Sequence, residues 1–158
     1  KMVELLQVFL GWFTADFITG VVHLLFDRYT WMGFMHKDAQ EHHVNPEKIL
    51  TRSTWVLVKV PLLAVIPFLP LIYFAPWFAV PLVVGCVLSV KVHAWAHCYG
   101  EVPWVVAALQ GLGLFLSPWE HIEHHRGGHT RGYASLCGWS NPLIDFTLDL
   151  FEWKWSAF

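Results

Sequence analysis

The sequence has 158 residues, of which 56% are hydrophobic and only 14% are charged. A soluble domain carries charge on roughly a quarter of its residues, so this composition argues against a soluble protein and indicates a protein embedded in lipid. The length suits one domain, and we therefore treat residues 1–158 as a single membrane-embedded domain.

Three apolar stretches have the composition of membrane helices. Residues 5–26 form the first stretch, which is long enough to span a bilayer. Residues 55–73 form the second, where three prolines predict kinks rather than exclude a span. Residues 78–92 begin the third, which we expect to end near Tyr99.

The remaining segments are not expected to cross the bilayer. Residues 104–116 are too short to span, so we expect them to lie at the interface or to re-enter the membrane. Residues 143–155 can form an amphipathic helix on the membrane surface. The predicted fold is an all-α integral membrane bundle of about three spanning helices. A short re-entrant or interfacial segment, surface helices and a histidine-rich cytoplasmic cap complete it.

The histidines lie at those ends of the predicted helices that share one side of the membrane. Three crossings alternate in direction and residues 104–116 do not cross, so the histidine-rich segments return to one face. That face also holds most of the lysines and arginines, whereas the turn at Pro76 has no charge, which indicates a cytoplasmic location. The membrane would be the endoplasmic reticulum in a eukaryote or the inner membrane in a bacterium. Nine histidines gather there: His23, His42, His43, His93, His97, His121, His124, His125 and His129.

The spacing of these histidines favours a metal site. His93 and His97 are four residues apart, so on a helix their rings can bind one ion. Two further pairs are adjacent in sequence: His42 with His43, and His124 with His125. Adjacent side chains on a helix point about 100° apart, which suits two metal centres better than one.

One face of the first helix is polar although lipid favours apolar residues. Asp16, Gly20, His23 and Asp27 share this face, and ionisable groups within a membrane helix are functional candidates. His23 is placed to ligate a metal, and Asp27 could ligate or accept a hydrogen bond from a ligating ring. Asp16 could equally serve a hydrogen bond between helices. His36 has no partner at helical spacing and is not predicted to be a ligand.

The number and type of these side chains predict two iron ions. Nine imidazoles exceed the four ligands of a structural zinc site and suit two ions that keep open positions. Imidazole binds zinc, copper, iron and nickel, and soluble di-iron bundles use glutamate with histidine. We therefore predict that the nine histidines are the catalytic and metal-binding residues of an all-imidazole di-iron site. Its co-substrate would be O2, and it would act on a membrane lipid.

Five motifs together resemble the Kua-type lipid desaturase family over roughly residues 15–145. They are Asp16-Phe17-x-x-Gly20-x-x-His23, Glu41-His42-His43, His93-x-Trp95-x-His97, His121-x-x-His124-His125-x-x-x-His129 and Gly138-Trp139-x-Asn141. The resemblance implies O2-dependent desaturation of a lipid chain by the same nine histidines. Residues that could support the ligands are Asp16, Asp27, Glu41 and Asn141.

The resemblance also implies a substrate and partners. The expected reaction converts the 1-O-alkyl chain of plasmanylethanolamine into the vinyl ether of a plasmalogen. Electrons would come from cytochrome b5 or a ferredoxin-like donor, and no nucleic acid partner is expected. Desaturation of a phospholipid acyl chain and hydroxylation at the same site are the alternatives. A membrane metal transporter is the alternative from another class, but the second helix lacks the polar residues that a transport path needs.

Overall fold

The structure, a computed structural model, describes residues 1–100 and 102–156, with side chains described up to residue 151. The helices in these ranges are α1 Met2–Arg28, α2 Phe34–Val44, α3 Lys48–Thr51, α4 Thr54–Ala64, α5 Leu71–Phe74, α6 Pro76–Ala96, α7 Trp104–Gly111, α8 Pro118–Arg126 and α9 Asn141–Ser156, with 3-10 turns at Thr30–Met32 and Ile66–Phe68. No strand occurs among the described residues, and the predicted all-helical membrane bundle is confirmed.

Two of these helices, α1 and α6, are long and apolar enough to cross a membrane. The helix α4 and the segment Ile66–Phe74 pass the same test together, although a bend of 47° separates them. Pro67 and Pro70 follow this break at Val65, and each lacks a backbone donor that a continuous helix would use. The second predicted span is therefore kinked, as its prolines suggested.

The helices α1 and α6 run side by side in the same direction. A side chain at Gly11 would meet the backbone of Phe78, and one at Gly85 would meet Ala15, so early residues pair with early and later with later. Both helices consequently end on the same side of the bundle. The chain between them must return along the bundle, and the bent segment of α4 and Ile66–Phe74 has the length and composition for this third crossing.

The elements outside the spans close the bundle at this common end. Ser117 caps α8 through a reciprocal capping box with Glu120, which satisfies backbone donors at the start of that helix. Ile144 of α9 sits where a side chain at Gly20 of α1 would be. The outer face of α9 is apolar, with Phe146 exposed, as expected for a helix on a membrane surface.

Candidate metal centre

Ten potential metal-binding side chains converge at the common end of the spanning helices. They come from α1 (His23 and Asp27), α2 (His42 and His43), the end of α6 (His93 and His97), α8 (His121, His124 and His125) and the loop after α8 (His129). Because these elements are distant in sequence, the tertiary structure alone brings the side chains together.

The first group of donors, which we name the four-histidine cluster, consists of His42, His93, His97 and His121. One ring nitrogen from each of these histidines lies within 4.8 Å of the corresponding nitrogens of the other three. Nε2 of His42 is 3.0 Å from Nε2 of His93 and 2.9 Å from Nε2 of His97, and the His97 and His121 Nε2 atoms are 2.7 Å apart. Two nitrogens bound to one ion at about 2.1 Å lie roughly 3 Å apart when the angle at the metal is near 90°. The spacing therefore fits ligation of a single ion.

The second group, which we name the mixed cluster, consists of His23, Asp27, His43 and His124, again with donor atoms within 4.8 Å of one another. Oδ2 of Asp27 is 3.4 Å from Nε2 of His23 and 3.5 Å from Nε2 of His124. Oδ1 of Asp27 is 3.4 Å from Nε2 of His43.

Several atoms of the mixed cluster are buried without a hydrogen bond among the described residues. They are both carboxylate oxygens of Asp27, Nε2 of His43 and Nε2 of His124. Leaving a buried polar atom unsatisfied is costly, so native proteins rarely do it without a reason such as an ion. Unpaired acceptors that converge on one point are what a metal ion requires, so the donor set fits such a group.

Backbone carbonyls orient two rings of the mixed cluster. Nδ1 of His23 is 2.9 Å from the carbonyl oxygen of Tyr133, and Nδ1 of His124 is 2.7 Å from that of Arg131. A carbonyl can only accept, so each Nδ1 must be the protonated nitrogen that donates. In the neutral ring this leaves the lone pair on Nε2, which points to Asp27 and is available for a metal.

Burial keeps four of these histidines uncharged, namely His42, His43, His97 and His125. It lowers the pKa of His42 to about 2, with the neighbouring His97 as the next cause. It also lowers the pKa of His43 and of His97 to about 4, and that of His125 to about 3. These rings are therefore neutral at physiological pH, which is the form that binds metals.

The remaining histidines differ in their relation to the clusters. Nε2 of His125 is 3.1 Å from Nε2 of His121, so His125 borders the four-histidine cluster. The ring of His129 stacks on that of His43 with centroids 3.6 Å apart. Neither residue belongs to a four-residue donor group, and their predicted role as ligands stays a prediction. His36 lies apart and donates from Nδ1 to the carbonyl of Phe26 at 2.7 Å.

Asp16 has a different environment from Asp27, although both are on α1. One of its oxygens accepts from the backbone N–H groups of Leu136, Cys137 and Gly138 at 3.3, 2.8 and 3.2 Å. The other accepts from the backbone N–H and the hydroxyl of Ser140 at 2.9 and 2.7 Å. Asp16 therefore bonds the loop that precedes α9, rather than another helix.

The other two predicted supporting residues also act through hydrogen bonds within the cap. Oδ1 of Asn141 accepts from the backbone N–H of Ala134 at 2.8 Å and so ties the loop after α8 to α9. Glu41 forms an ion pair with Lys48 at the surface.

Sequence reasoning missed the contribution of residues 127–133. The carbonyls of Arg131 and Tyr133 orient two rings, yet a backbone carbonyl leaves no signal in a sequence. The available hint is the run of glycines, since Gly128 and Gly132 have positive φ values of 69° and 72° and mark a sharp turn.

Comparison with known proteins points to one family. The chain is 34% identical over 147 residues to fatty acid desaturase 4, chloroplastic, of Arabidopsis thaliana, which covers 84% of this chain and 45% of the relative. It is 30% identical over 154 residues to plasmanylethanolamine desaturase of Myxococcus xanthus, covering 87% and 54%. It is 28% identical over 165 residues to plasmanylethanolamine desaturase 1 of Mus musculus, covering 88% and 59%.

The chain thus spans about half the length of the relatives it matches. No solved structure shows a significant match to it. Residues 12–154 match the family described as the lipid desaturase domain, which is nearly the whole chain. This match confirms the resemblance seen in the five motifs, and the chain belongs to the lipid desaturase family.

Proposed function

We propose that the chain is the catalytic domain of an O2-dependent lipid desaturase that holds one iron ion in each of its two clusters. The observation that carries this proposal is the pair of adjoining donor sets at one end of a membrane bundle. A closed structural zinc site would need only four ligands in total. Two sets of imidazole-rich donors suit iron, and the family supports a redox role.

A pair of iron ions bound in these clusters would supply the oxidation with O2 that removes two hydrogens from neighbouring carbons of a saturated chain. The protein holds the donor groups in place before metal arrives, because each comes from a helix or from a loop bonded to one. Neutral rings offer their lone pairs, and the carbonyls of Arg131 and Tyr133 direct Nε2 of His124 and His23 inward. Burial of His97, His121 and His124 excludes water from the reaction.

The depth of the clusters supports a substrate that reacts close to its headgroup. The donors lie at the ends of α1 and α6, so they sit near the membrane surface rather than at its centre. In an ether phospholipid, C1 and C2 of the alkyl chain are next to the glycerol and hence at this depth. We therefore favour conversion of a 1-O-alkyl chain to a vinyl ether, the chemistry in the names of the bacterial and mouse relatives.

Desaturation of a phospholipid acyl chain is the second candidate. The observation that favours it is the 34% identity to the plant protein named fatty acid desaturase 4. The same two clusters could serve either reaction, because only the placement of the chain relative to the metals differs.

The electrons for this reaction would come from a donor such as cytochrome b5 or a ferredoxin. We place its approach on the cytoplasmic face, where Lys37 of α2 and Arg126 of α8 are exposed near the histidine clusters. Exposed positive charge at this face would attract an acidic electron carrier and speed its encounter.

The test is lipid analysis of cells that do or do not express the full-length protein, supplied with an alkyl ether lipid. We expect new vinyl ethers, detected by mass as the loss of two hydrogens and by acid lability. New acyl double bonds would instead establish the second candidate, and a gain of oxygen without loss of hydrogen would identify a hydroxylase. An unchanged lipid profile under aerobic conditions would contradict the proposal.

Substitution of the donors tests the site itself. His97→Ala and His124→Ala each remove one donor from a different cluster, so each should abolish turnover while the protein remains in the membrane. His36→Asn is the matched control, because asparagine keeps an N–H donor for the Phe26 carbonyl and His36 lies outside both clusters. Full activity in either alanine variant would refute the ligand assignment.

A further inference from the structure

The loop of residues 127–133 has an unusual backbone conformation at three positions. Gly128 and Gly132 have positive φ, and so does His129, whose φ is 60° although it has a side chain. A non-glycine residue in this left-handed region is strained and persists where its surroundings impose it. This loop supplies the two carbonyls that orient His23 and His124.

The side chain of Tyr133 bonds this loop from inside the protein, and the carboxylate of Asp145 accepts from the backbone N–H of Gly132 at 3.3 Å. Tyr133 is fully buried, with 0% of its surface exposed. Its hydroxyl donates to the carbonyl of the strained His129 at 2.7 Å and accepts from Nε of Arg28 at 3.1 Å. The guanidinium of Arg28 also lies 5.9 Å from the centre of the tyrosine ring and donates to the Thr130 carbonyl at 3.4 Å.

The ring of Tyr133 also lies close to His23 and His124, the two histidines that donate to carbonyls of this loop. Its centroid is 5.9 Å from that of His23, edge to face, and 5.3 Å from that of His124. The backbone carbonyl and the ring of Tyr133 therefore contact the mixed cluster directly, and its hydroxyl bonds the loop that carries this carbonyl and that of Arg131. Within the part of the chain that the structure describes, none of these contacts of Tyr133 reaches the four-histidine cluster.

We infer that Tyr133, braced by Arg28, is a positioning residue that fixes the ring orientation and tautomer of His23 and His124 and so sets the metal affinity of the mixed cluster alone. The inference rests on the proposed metal centre and adds a residue that acts through other ligands. Outer partners of this kind are worth about 10- to 100-fold in metal affinity. Removing the hydroxyl should therefore weaken one binding step and leave the other unchanged.

The experiment titrates purified, metal-free full-length protein with Co2+ alone, without O2, and follows the visible absorption of the bound ion. The wild type should bind two ions per chain in two resolvable steps. Two reference variants assign the steps, because Asp27→Asn weakens the mixed cluster and His93→Ala weakens the four-histidine cluster. Tyr133→Phe should weaken the Asp27-dependent step about 10- to 100-fold and leave the His93-dependent step within twofold.

A matched control and a second variant keep the test decisive. Tyr73→Phe removes an equivalent hydroxyl from a side chain that is 87% exposed at the far end of the bundle, and should change neither step. Arg28→Lys keeps the tyrosine and the charge but removes the Nε donor, so it should weaken the same step more mildly. If Tyr133→Phe does not fold, the result with Arg28→Lys decides the matter.

The tautomers of the histidine rings are a second measurement, which would not change if Tyr133 only stabilised the fold. In 15N spectra of the metal-free protein, His23 and His124 should carry their proton on Nδ1 in the wild type and as a mixture in Tyr133→Phe. The positioning role of Tyr133 would be overturned if Tyr133→Phe weakened both Co2+-binding steps equally. It would also be overturned if the variant changed neither the binding steps nor the tautomers. In both cases the proposed metal centre itself would remain supported. Absence of Co2+ binding in the wild type would instead refute the metal centre itself.

Discussion

At the scale of single residues, two aspartates of α1 show how environment decides the role of a carboxylate. Asp16 receives hydrogen bonds from four backbone N–H groups and one hydroxyl. Its acceptor capacity is therefore used within the protein. Asp27 has no hydrogen bond to its carboxylate oxygens among the described residues and faces three imidazoles. Of the two aspartates, only Asp27 has carboxylate oxygens that are free of hydrogen bonds and can bind a metal.

We predict that Asp16→Ala strongly destabilises the protein. The substitution would leave buried donors of residues 136–140 without acceptors, and each orphaned donor costs about 1–3 kcal/mol. We therefore expect a loss of about 3 kcal/mol or more in the free energy of unfolding, measured by denaturant titration in detergent. Thr14→Ala is the control, because its exposed hydroxyl bonds only the Leu10 carbonyl of the same helix. An Asp16→Ala protein as stable as that control would contradict the anchoring role.

At the scale of elements, close contact between α1 and α6 determines where the donors sit. Gly11 lies against the backbone of Phe78, and Gly85 lies against Ala15, so both contacts depend on the absence of a larger side chain. Small residues let membrane helices approach closely and pack well. The same packing brings the rings of His23 and His93 to a centroid distance of 5.2 Å. The four-histidine cluster and the mixed cluster are therefore neighbours because the two helices are.

We predict that Gly11→Ala pushes these helices apart. The new methyl group would overlap the backbone oxygen of Phe78, which cannot turn away as a flexible side chain could. Overpacking of this kind costs about 1–3 kcal/mol, which should appear as a lower free energy of unfolding.

The control for this substitution is Gly111→Ala at the end of α7, where a methyl group would meet nothing within 4 Å. Alanine is the better helix former, so this variant should be neutral or slightly stabilised. Equal stability of the two variants would show that α1 and α6 do not pack as described.

At the scale of the whole molecule, the direction of the helices places every donor at one rim. The parallel pair α1 and α6 requires the bent segment made of α4 and Ile66–Phe74 to cross in the opposite direction. The cap of α2, α8 and the following loop then closes over the ends of the two long helices. The proposed metal centre thus lies at one end of the bundle, which we propose to face the cytoplasm.

We predict that Lys37→Cys and Tyr73→Cys react with a membrane-impermeant maleimide from opposite sides of the membrane. Lys37 is exposed on α2, at the end of the bundle that holds the histidine clusters. Tyr73 is exposed on the bent segment, at the opposite end of the bundle. Labelling of inside-out and right-side-out vesicles separates the two sides. The wild type measures the background, since its Cys86 and Cys137 are buried and Cys98 is half-buried. Labelling of both variants from one side would show that the bent segment does not cross.

The sequence by itself determined the class of protein and the spans, and it predicted the kind of site. The length of a hydrophobic stretch indicates a membrane helix because the hydrocarbon core of a bilayer has a nearly fixed thickness. Counting the crossings was then enough to place nine histidines on one side. The kink in the second span also followed from its prolines, since proline lacks a backbone donor. Adjacent histidines predicted two centres, and His42 and His43 do lie in different clusters.

Only the tertiary structure decided how the donors are divided and what orients them. Helical spacing tells which residues share a face but not how that face is turned towards the neighbouring helices. For this reason the sequence could not pair His121 with α6 and His124 with Asp27, nor distinguish Asp16 from Asp27. The carbonyls of Arg131 and Tyr133 act through the backbone, which is the same in every residue. Their role depends on the path of the loop, and that path is settled by packing against α1 and α9.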